Sequence, residues 1–278
     1  MLLPRLKIAF AILVFVAVPA MSQASELKQE TLSAWEDYLR TANLLMQRNL
    51  HSSGIRDAGN PFLWIEEQSD RSRRVRQGEI LIAPLGDAGP QKVPDGLIHD
   101  WIGAMFIPNA RINDVFAVVQ QFNRYKDFYK PTVIESKLLR RTGEEYEFSI
   151  LGLKRVLFEK VVLEGQFESH CSELDGTRRY CISSSTRIQE IQDYGQPGEH
   201  KLPPDEGRGY IWRVYSLTKF EERDGGVYVE LEVIALSRDI LASFRWLTKS
   251  VVERVARGSM STILERTKDA VAVEHRSL

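Results

Sequence analysis

The pattern of hydrophobic and polar residues predicts helices at both ends of the chain, with strands between them. Residues 26–50 and 250–272 carry apolar residues at helical spacing. The second of these segments has two neighbouring apolar stripes and therefore needs a broad surface to cover. Residues 97–107 predict a long strand, and residues 111–128 predict one helix, because apolar residues recur there every three or four positions.

A run of strand candidates separated by turn-rich segments fills the middle of the chain. They are residues 132–141, 144–151, 154–171, 178–191, 209–222 and 227–237, and an earlier candidate spans 75–85. Because 154–171 is long for one strand, we expect a bend or bulge near Gly165. Residues 192–208 are rich in proline and glycine and predict a surface loop. Consecutive strands with segregated helices indicate α+β architecture, in which the terminal helix covers an antiparallel sheet.

The last predicted hairpin has one apolar and one polar face. A turn at residues 224–225 pairs Phe220 with Val229, Thr218 with Leu231, Ser216 with Val233 and Val214 with Ala235. On the other face Lys219 opposes Glu230, near Arg213 and Glu232. We expect solvent to cover these carboxylates. If this face were buried instead, a paired Arg213 and Glu232 could hold a ligand carboxylate or hydroxyl, since an unpaired buried charge is unfavourable.

Composition and motif searches exclude several classes of function. The 278 residues carry a formal net charge of −1, which argues against a nucleic-acid partner and gives no electrostatic attraction to anionic lipid. The five histidines lack metal-ligand spacing, and neither a nucleophile elbow nor a phosphate-binding glycine loop is present. We therefore predict no metal, no cofactor and no catalytic residue. His99 is expected to be a structural histidine. The arginines within residues 71–76 predict a solvated turn, with an anion contact as the alternative.

The first 24 residues have the features of a secretory signal peptide. Arg5 and Lys7 precede an apolar run over residues 8–18, and Ser22-Gln23-Ala24 offers a signal-peptidase site. The run is too short to cross a bilayer as a helix, and no later stretch predicts a transmembrane span. An uncleaved anchor is the alternative. We expect an exported protein, periplasmic or secreted.

The two cysteines lie on either side of a predicted hairpin turn at residues 174–177. A three-residue loop centred on Gly176 would place Cys171 directly opposite Cys181, at a distance that a disulfide tolerates. A two-residue loop would offset them by one residue, onto opposite faces of the hairpin. An exported protein reaches an oxidising compartment, and such a compartment favours formation of the disulfide.

Three segments resemble the START-like, polyketide cyclase-like superfamily. They are GLIHDWIGAMFIPNARINDVFAVVQQFNRYKDFYKP, FEERDGGVYVELEVIALSRDI and the closing amphipathic helix. The resemblance covers residues 97–271. It implies a helix-grip fold, in which a curved antiparallel sheet grips a long C-terminal helix around an apolar cavity. The predicted organisation is a signal peptide (1–24), a helical or extended N-terminal segment (25–95), the START-like domain (96–273) and a tail (274–278).

Most members of this superfamily bind or carry hydrophobic molecules, and a minority catalyse cyclisation or hydrolysis in the same cavity. The resemblance therefore implies an exported carrier of a lipid-like ligand, without catalysis. A cyclase/aromatase- or hydrolase-like enzyme and an envelope protein-interaction module stay open as alternatives. The residues predicted to contact the ligand are Trp101, Trp212, Arg213, Ser216, Glu232, Val233, Val252, Val255 and Ser259. The sequence identifies neither the ligand nor a protein partner.

Overall fold

The computed structural model describes residues 25–51, 61–86, 89–156, 159–239 and 245–275. The predicted signal peptide lies outside them, as does the side chain of Val252. The helices are α1 (Gln29–His51), α2 (Ser69–Arg76), α3 (Ile112–Val119), α4 (Tyr125–Phe128) and α5 (Arg245–His275), with 3-10 turns at Trp64–Glu67 and Phe122–Arg124. Within the described ranges, no helix is both long and apolar enough to span a bilayer.

Most of the described strands form one large antiparallel sheet, and two short ones form a separate pair. The strands are β1 (Ser25–Glu26), β2 (Leu81–Pro84), β3 (Gln91–Val93), β4 (Gly96–Pro108), β5 (Val133–Thr142), β6 (Glu145–Val156), β7 (Glu159–Asp175), β8 (Arg178–Gln192), β9 (His200–Lys201), β10 (Glu206–Gly207), β11 (Arg213–Arg223) and β12 (Gly226–Arg238). The main order is β2-β4-β12-β11-β8-β7-β6-β5, with β3 paired to β4 and β9 to β8, while β1 pairs with β10. The α+β prediction is confirmed.

Two glycines of β4 show which helices cover each face of the sheet. A Cβ atom added to Gly103 would lie 3.0 Å from Leu264 and 3.3 Å from Met260, both on α5. One added to Gly96 would lie 2.8 Å from Thr31 on α1. We call the face toward α5 the inner face and the face toward α1 the outer face.

The long C-terminal helix buries one apolar stripe against the inner face. Met260, Leu264 and Val271 of α5 belong to the main core cluster, with Ala256 partly buried beside them. Ile263, on the neighbouring predicted stripe, is 37% exposed. The helix packs on β2 and β4 and against α3 and α4. Only one of the two predicted stripes is therefore core.

The N-terminal segment covers the outer face, which corrects the prediction that this face is solvated. Trp35 of α1 is buried with apolar residues of β11 and β12. Lys219 and Glu230 form a 2.8 Å ion pair, with side chains only 6% and 2% exposed. Their other partners come from the same segment: the Phe62 carbonyl accepts from Lys219 Nζ, and the Trp64 N–H donates to Glu230. Full hydrogen bonding makes this buried pair tolerable.

The two cysteines lie directly opposite each other on β7 and β8 and form a disulfide. The turn between these strands is Gly176-Thr177, the two-residue case for which the sequence predicted an offset. Glu173 pairs with Arg179 and Asp175 with Arg178, so Leu174 is an extra residue in β7. This bulge shifts the register by one residue and brings the cysteines into line.

Several element boundaries differ from the sequence prediction. Residues 111–128 form α3, a 3-10 turn and α4 rather than one helix. Residues 75–85 are the end of α2, a turn at Gly78 with positive φ, and β2. The irregularity expected near Gly165 of β7 is instead a second extra residue in the β7–β8 ladder, Thr186 on the opposing strand β8. The predicted loop 192–208 contains β9 and β10.

Candidate functional site

A row of side chains crosses the inner face from β4 to β6. The register places Trp101 beside Val233, Val233 beside Ser216, Ser216 beside Ser183, Ser183 beside Ser169 and Ser169 beside Tyr146. Neighbouring strands lie about 4.8 Å apart, so three serines occupy consecutive positions in one line. We call Ser216, Ser183, Ser169 and Tyr146 the hydroxyl row.

Uncharged rows flank the hydroxyl row on both sides. One contains Gly103, Leu231, Thr218 and the disulfide. The other runs through His99, Ala235 and Val214 to Phe167 and Phe148, and the Ser185 hydroxyl accepts from the Val214 N–H. His99 Nε2 lies 2.8 Å from Ser237 Oγ, and burial lowers its pKa to about 4, so the ring is neutral at pH 7.

Two members of the hydroxyl row differ in how their oxygens are satisfied. The Ser183 hydroxyl donates to Ser169 Oγ at 2.9 Å. The Tyr146 side chain is almost completely buried, yet its hydroxyl has no hydrogen-bond partner among the described residues. Burial raises the pKa of Tyr146 above its usual value. A buried hydroxyl without a partner is unfavourable and offers a donor and an acceptor to a bound molecule.

Aromatic side chains close the β6–β7 side of the inner face. Phe148 stacks on Phe122 with ring centroids 4.3 Å apart and on Phe167 with centroids 5.2 Å apart. On the opposite side α5 places Met260 and Leu264 against β4. At one end Phe116 of α3 meets Phe220 edge to face. Apolar side chains therefore border the inner face on at least three sides.

The middle of the inner face is not filled by the described side chains. Ser216, Ser183, Val214 and Val233 lie on strands with neighbours on both sides, yet each retains solvent-accessible surface. This happens because α5 packs on β2 and β4 rather than on β11 and β8. A space lined by apolar side chains with a few convergent polar groups is the usual form of a small-molecule site.

Comparisons with known proteins give structural matches alone. No protein-family model matches the sequence, and the search of curated proteins gives no match. A STAR-related lipid transfer protein fragment from Xanthomonas axonopodis is 17% identical, with 69% of this chain and 98% of that chain covered and a TM-score of 0.43. An aromatase/cyclase from a Streptomyces species is 9% identical, with 63% and 94% covered and a TM-score of 0.44. A Thermus thermophilus protein is 15% identical, with 62% and 97% covered and a TM-score of 0.44.

The arrangement of elements decides the fold. A long strand, short helices, a series of antiparallel strands and a closing helix on the inner face follow one another in the predicted order. The described residues therefore have the predicted helix-grip arrangement, an antiparallel sheet closed on one face by a long C-terminal helix. The N-terminal segment that covers the outer face lies outside the residues that carry the resemblance.

The predicted ligand residues separate between the two faces of the sheet. Trp101, Ser216 and Val233 lie on the inner face. Val255 and Ser259 are half-buried on α5, where the Ser259 hydroxyl donates to the Val255 carbonyl. That these five residues contact a ligand stays a prediction.

Three predicted ligand residues lie on the wrong face of the sheet. Trp212 is in the outer-face core cluster with Trp35. Arg213 pairs with Asp205 through two hydrogen bonds of 2.5 and 3.1 Å, and not with Glu232. Glu232 follows the alternation of β12 to the outer face, because Leu231 and Val233 face inward. The prediction that Trp212, Arg213 and Glu232 line the space beneath α5 is therefore wrong.

Glu232 instead lies beneath α1 near a second acid, Asp100, so that two carboxyl groups share one buried region. Burial and the nearby Asp100 carboxylate together raise the pKa of Glu232 to about 7, although the Lys219 ammonium lowers it. Burial also raises the pKa of Asp100 to about 6, although the Tyr38 hydroxyl of α1 donates to it at 2.7 Å. The other oxygen of Asp100 is buried without a hydrogen-bond partner in the described part of the chain. This pair titrates near neutral pH.

A concavity of about 500 Å³ lies on the outer side of the sheet, beside α2. It is lined by Ser72, Arg73, Arg76, Gln77, Arg223, Asp224 and Tyr228. Acidic neighbours offset most of its charge: Asp70 pairs with Arg73, and Glu66 and Glu221 lie 3.0 and 2.9 Å from Arg223. The arginines of residues 71–76 thus make mainly intramolecular contacts. We assign the candidate site to the inner face, where the space is apolar and walled.

The sequence analysis missed Ser169, Ser183 and Tyr146. A signal for two of them was present, because a Cys171–Cys181 pair also sets Ser169 opposite Ser183, two residues further along each strand. The inward direction of Tyr146 depends on how β6 pairs with β7. The predicted strand boundaries did not determine that register.

Proposed function

We propose that the protein is an exported carrier of a hydrophobic ligand, which it holds between the inner face of the sheet and α5. The observation that carries the proposal is the accessible surface retained by Ser216, Ser183 and Val214 in the middle of the inner face, which α5 covers only in part. The apolar surface of a ligand placed there would be shielded from water by the inner face and by the aromatic side chains of β6 and β7. Each buried methylene group would contribute roughly 0.8 kcal/mol, which is sufficient to retain a lipid-sized molecule.

Binding of the neutral fluorescent probe N-phenyl-1-naphthylamine tests the location of the site. Ser183→Phe places a bulky ring on the floor of the inner face. Thr186→Phe changes an exposed residue on the same strand and serves as the matched control. We expect saturable binding to the wild type and to the control, and at least tenfold weaker binding to Ser183→Phe. Equal binding by all three proteins would place the site elsewhere. No binding by a folded wild type would contradict the carrier function.

Export is a separate part of the proposal. It rests on the signal-peptide pattern of residues 1–24 and on a disulfide between Cys171 and Cys181, which suits an oxidising compartment. Fractionation of cells expressing the full chain, followed by intact-mass analysis, tests it. We expect a product beginning at Ser25, two mass units lighter than its reduced form, outside the cytosol. A full-length product confined to the cytosol would contradict export and leave the ligand site untouched.

A further inference from the structure

The hydroxyl row gives the inner face a chemical preference that its apolar walls alone would not have. Ser216, Ser183, Ser169 and Tyr146 lie in one line across four neighbouring strands. In the two flanking rows the residues from β4 to β7 carry no charge at neutral pH. The geometry points to a ligand whose apolar body carries a neutral hydrogen-bonding group, a hydroxyl or a carbonyl, that the hydroxyl row binds. This inference rests on the proposed carrier function.

Tyr146 is the group that most needs a partner. Its side chain is 2% exposed, and its hydroxyl makes no hydrogen bond within the described chain. Its ring packs against Phe122, with centroids 5.1 Å apart, on the walled side of the site. A ligand oxygen near this hydroxyl would satisfy it, and a hydrocarbon would leave it unsatisfied.

The serines extend the same surface toward β11. Ser169 accepts from Ser183 at 2.9 Å, which leaves the Ser169 proton available to another acceptor. Ser216 follows on β11 and retains accessible surface. The row therefore offers both donors and acceptors, as recognition of a hydroxyl or carbonyl requires.

Charge argues against an anionic group at the centre of the site. A buried carboxylate needs a cation, and three described arginines on this face lie away from the middle of the row. Arg179, two residues before Cys181 on β8, stacks on Phe116 and pairs with Glu173. Two others lie at the ends of the row. The Arg141 guanidinium is 5.1 Å from the Tyr146 ring centroid at the β5 edge. The Arg257 guanidinium is 5.4 Å from the Trp101 centroid, and it donates to the Ile82 carbonyl. An anionic ligand would have to lie at one of these rims, away from the serines.

Three ligands with the same twelve-carbon chain test the inference by displacement of N-phenyl-1-naphthylamine at pH 8. They are dodecane, dodecan-1-ol and dodecanoate. One additional hydrogen bond corresponds to about fivefold in affinity, so we expect dodecan-1-ol to bind about five- to tenfold more tightly than dodecane. Dodecanoate should bind more weakly than the alcohol.

Two variants assign the preference to the hydroxyl row. Tyr146→Phe and Ser183→Ala should reduce the ratio of alcohol to alkane affinity by about fivefold, through weaker binding of dodecan-1-ol. Tyr180→Phe and Ser184→Ala change the same residue types on the other face of β8 and should preserve the ratio. Circular dichroism and urea midpoints establish that each variant is folded.

The outcomes separate this inference from the proposed function. Tightest binding of dodecanoate, equal binding of alcohol and alkane, or a preference unchanged in both variants would overturn the inference while the carrier function stands. Failure of all three ligands and of the fluorescent probe to bind the folded wild type would overturn both.

Discussion

Two pairs of ionisable residues beneath the N-terminal segment differ in how their charges are compensated. Lys219 and Glu230 are oppositely charged, 2.8 Å apart and hydrogen-bonded to residues 62 and 64. Asp100 and Glu232 are both acids. The Tyr38 hydroxyl donates a hydrogen bond to one oxygen of Asp100, and the other oxygen of Asp100 has no partner in the described part of the chain. The Lys219–Glu230 pair holds the N-terminal segment on the sheet. The Asp100–Glu232 pair disfavours the contact between segment and sheet when both carboxylates are ionised.

Removing one charge of the buried ion pair should be costly. Glu230→Gln leaves Lys219 charged and buried without a counter-ion, so we expect a loss of about 3 kcal/mol in the free energy of unfolding. Arg40→Gln, which breaks the exposed pair with Asp37, is the control and should have little effect. Urea denaturation measures both. A Glu230→Gln variant as stable as the control would show that the pair does not anchor the segment.

The contribution of Asp100 and Glu232 to stability should fall as the pH rises toward neutral. The folded-state pKa values of Asp100 and Glu232, about 6 and about 7, lie above their usual values. The folded protein therefore binds more protons than the unfolded chain between about pH 4 and pH 7. The stabilisation from these protons is complete below that range and lost above it.

Glu232→Gln removes the larger of these two titrations. We expect the variant to be more stable than the wild type at pH 8 and to show a smaller change in urea midpoint between pH 5 and pH 8. Glu168→Gln, at an exposed position on β7, should retain the wild-type pH profile. Identical profiles for Glu232→Gln and the wild type would contradict the assignment.

At the scale of single elements, the β7–β8 hairpin combines a bulge with a covalent link. The disulfide closes a short loop across two strands of the inner-face floor, next to Ser169 and Ser183. In the chain-entropy account, a link of this span contributes roughly 2–3 kcal/mol by restricting the unfolded chain.

Replacing both cysteines by alanine should therefore lower the unfolding free energy by about 2–3 kcal/mol. Thiol titration of the denatured wild type should detect two thiols only after reduction. Two thiols before reduction, or an unchanged unfolding free energy in the double variant, would contradict a structural disulfide.

The C-terminal helix should be anchored by one stripe alone. Leu264 is 1% exposed and contacts the inner face at Gly103, whereas Ile263 is 37% exposed. We expect Leu264→Ala to lower the free energy of unfolding by about 3 kcal/mol, since it leaves a cavity. Ile263→Ala should cost less than about 1 kcal/mol, as is usual near the surface. Equal losses would mean that the helix buries both stripes.

Elements whose signals are local could be predicted from the sequence. The β11–β12 register is confirmed residue by residue, because Asp224 and Gly225, both with positive φ, fix a two-residue turn. The break between α3 and α4 was missed, since residues 119–122 contain no proline or glycine to mark it. The bulge at Leu174 was missed for the same reason.

At the scale of the whole molecule, the two faces of the sheet serve different purposes. The outer face is closed by the N-terminal segment, and the inner face is covered in part by α5. The sequence predicted the sheet and its closing helix. It could not predict which polar residues are buried, because the alternation of Lys219, Glu230 and Glu232 is the same for a solvated face and for one covered by distant residues. For that reason the prediction that Arg213 and Glu232 lie beneath α5 was wrong.

Native mass spectrometry of the protein purified from its own host tests the central claim most directly. We expect a population that carries one small molecule per chain, released by organic solvent and identified as an apolar compound. After delipidation, loading should restore the 1:1 complex in the wild type and fail in Ser183→Phe. A folded wild type that carries no such molecule, and that accepts none on loading, would contradict a ligand space beneath α5.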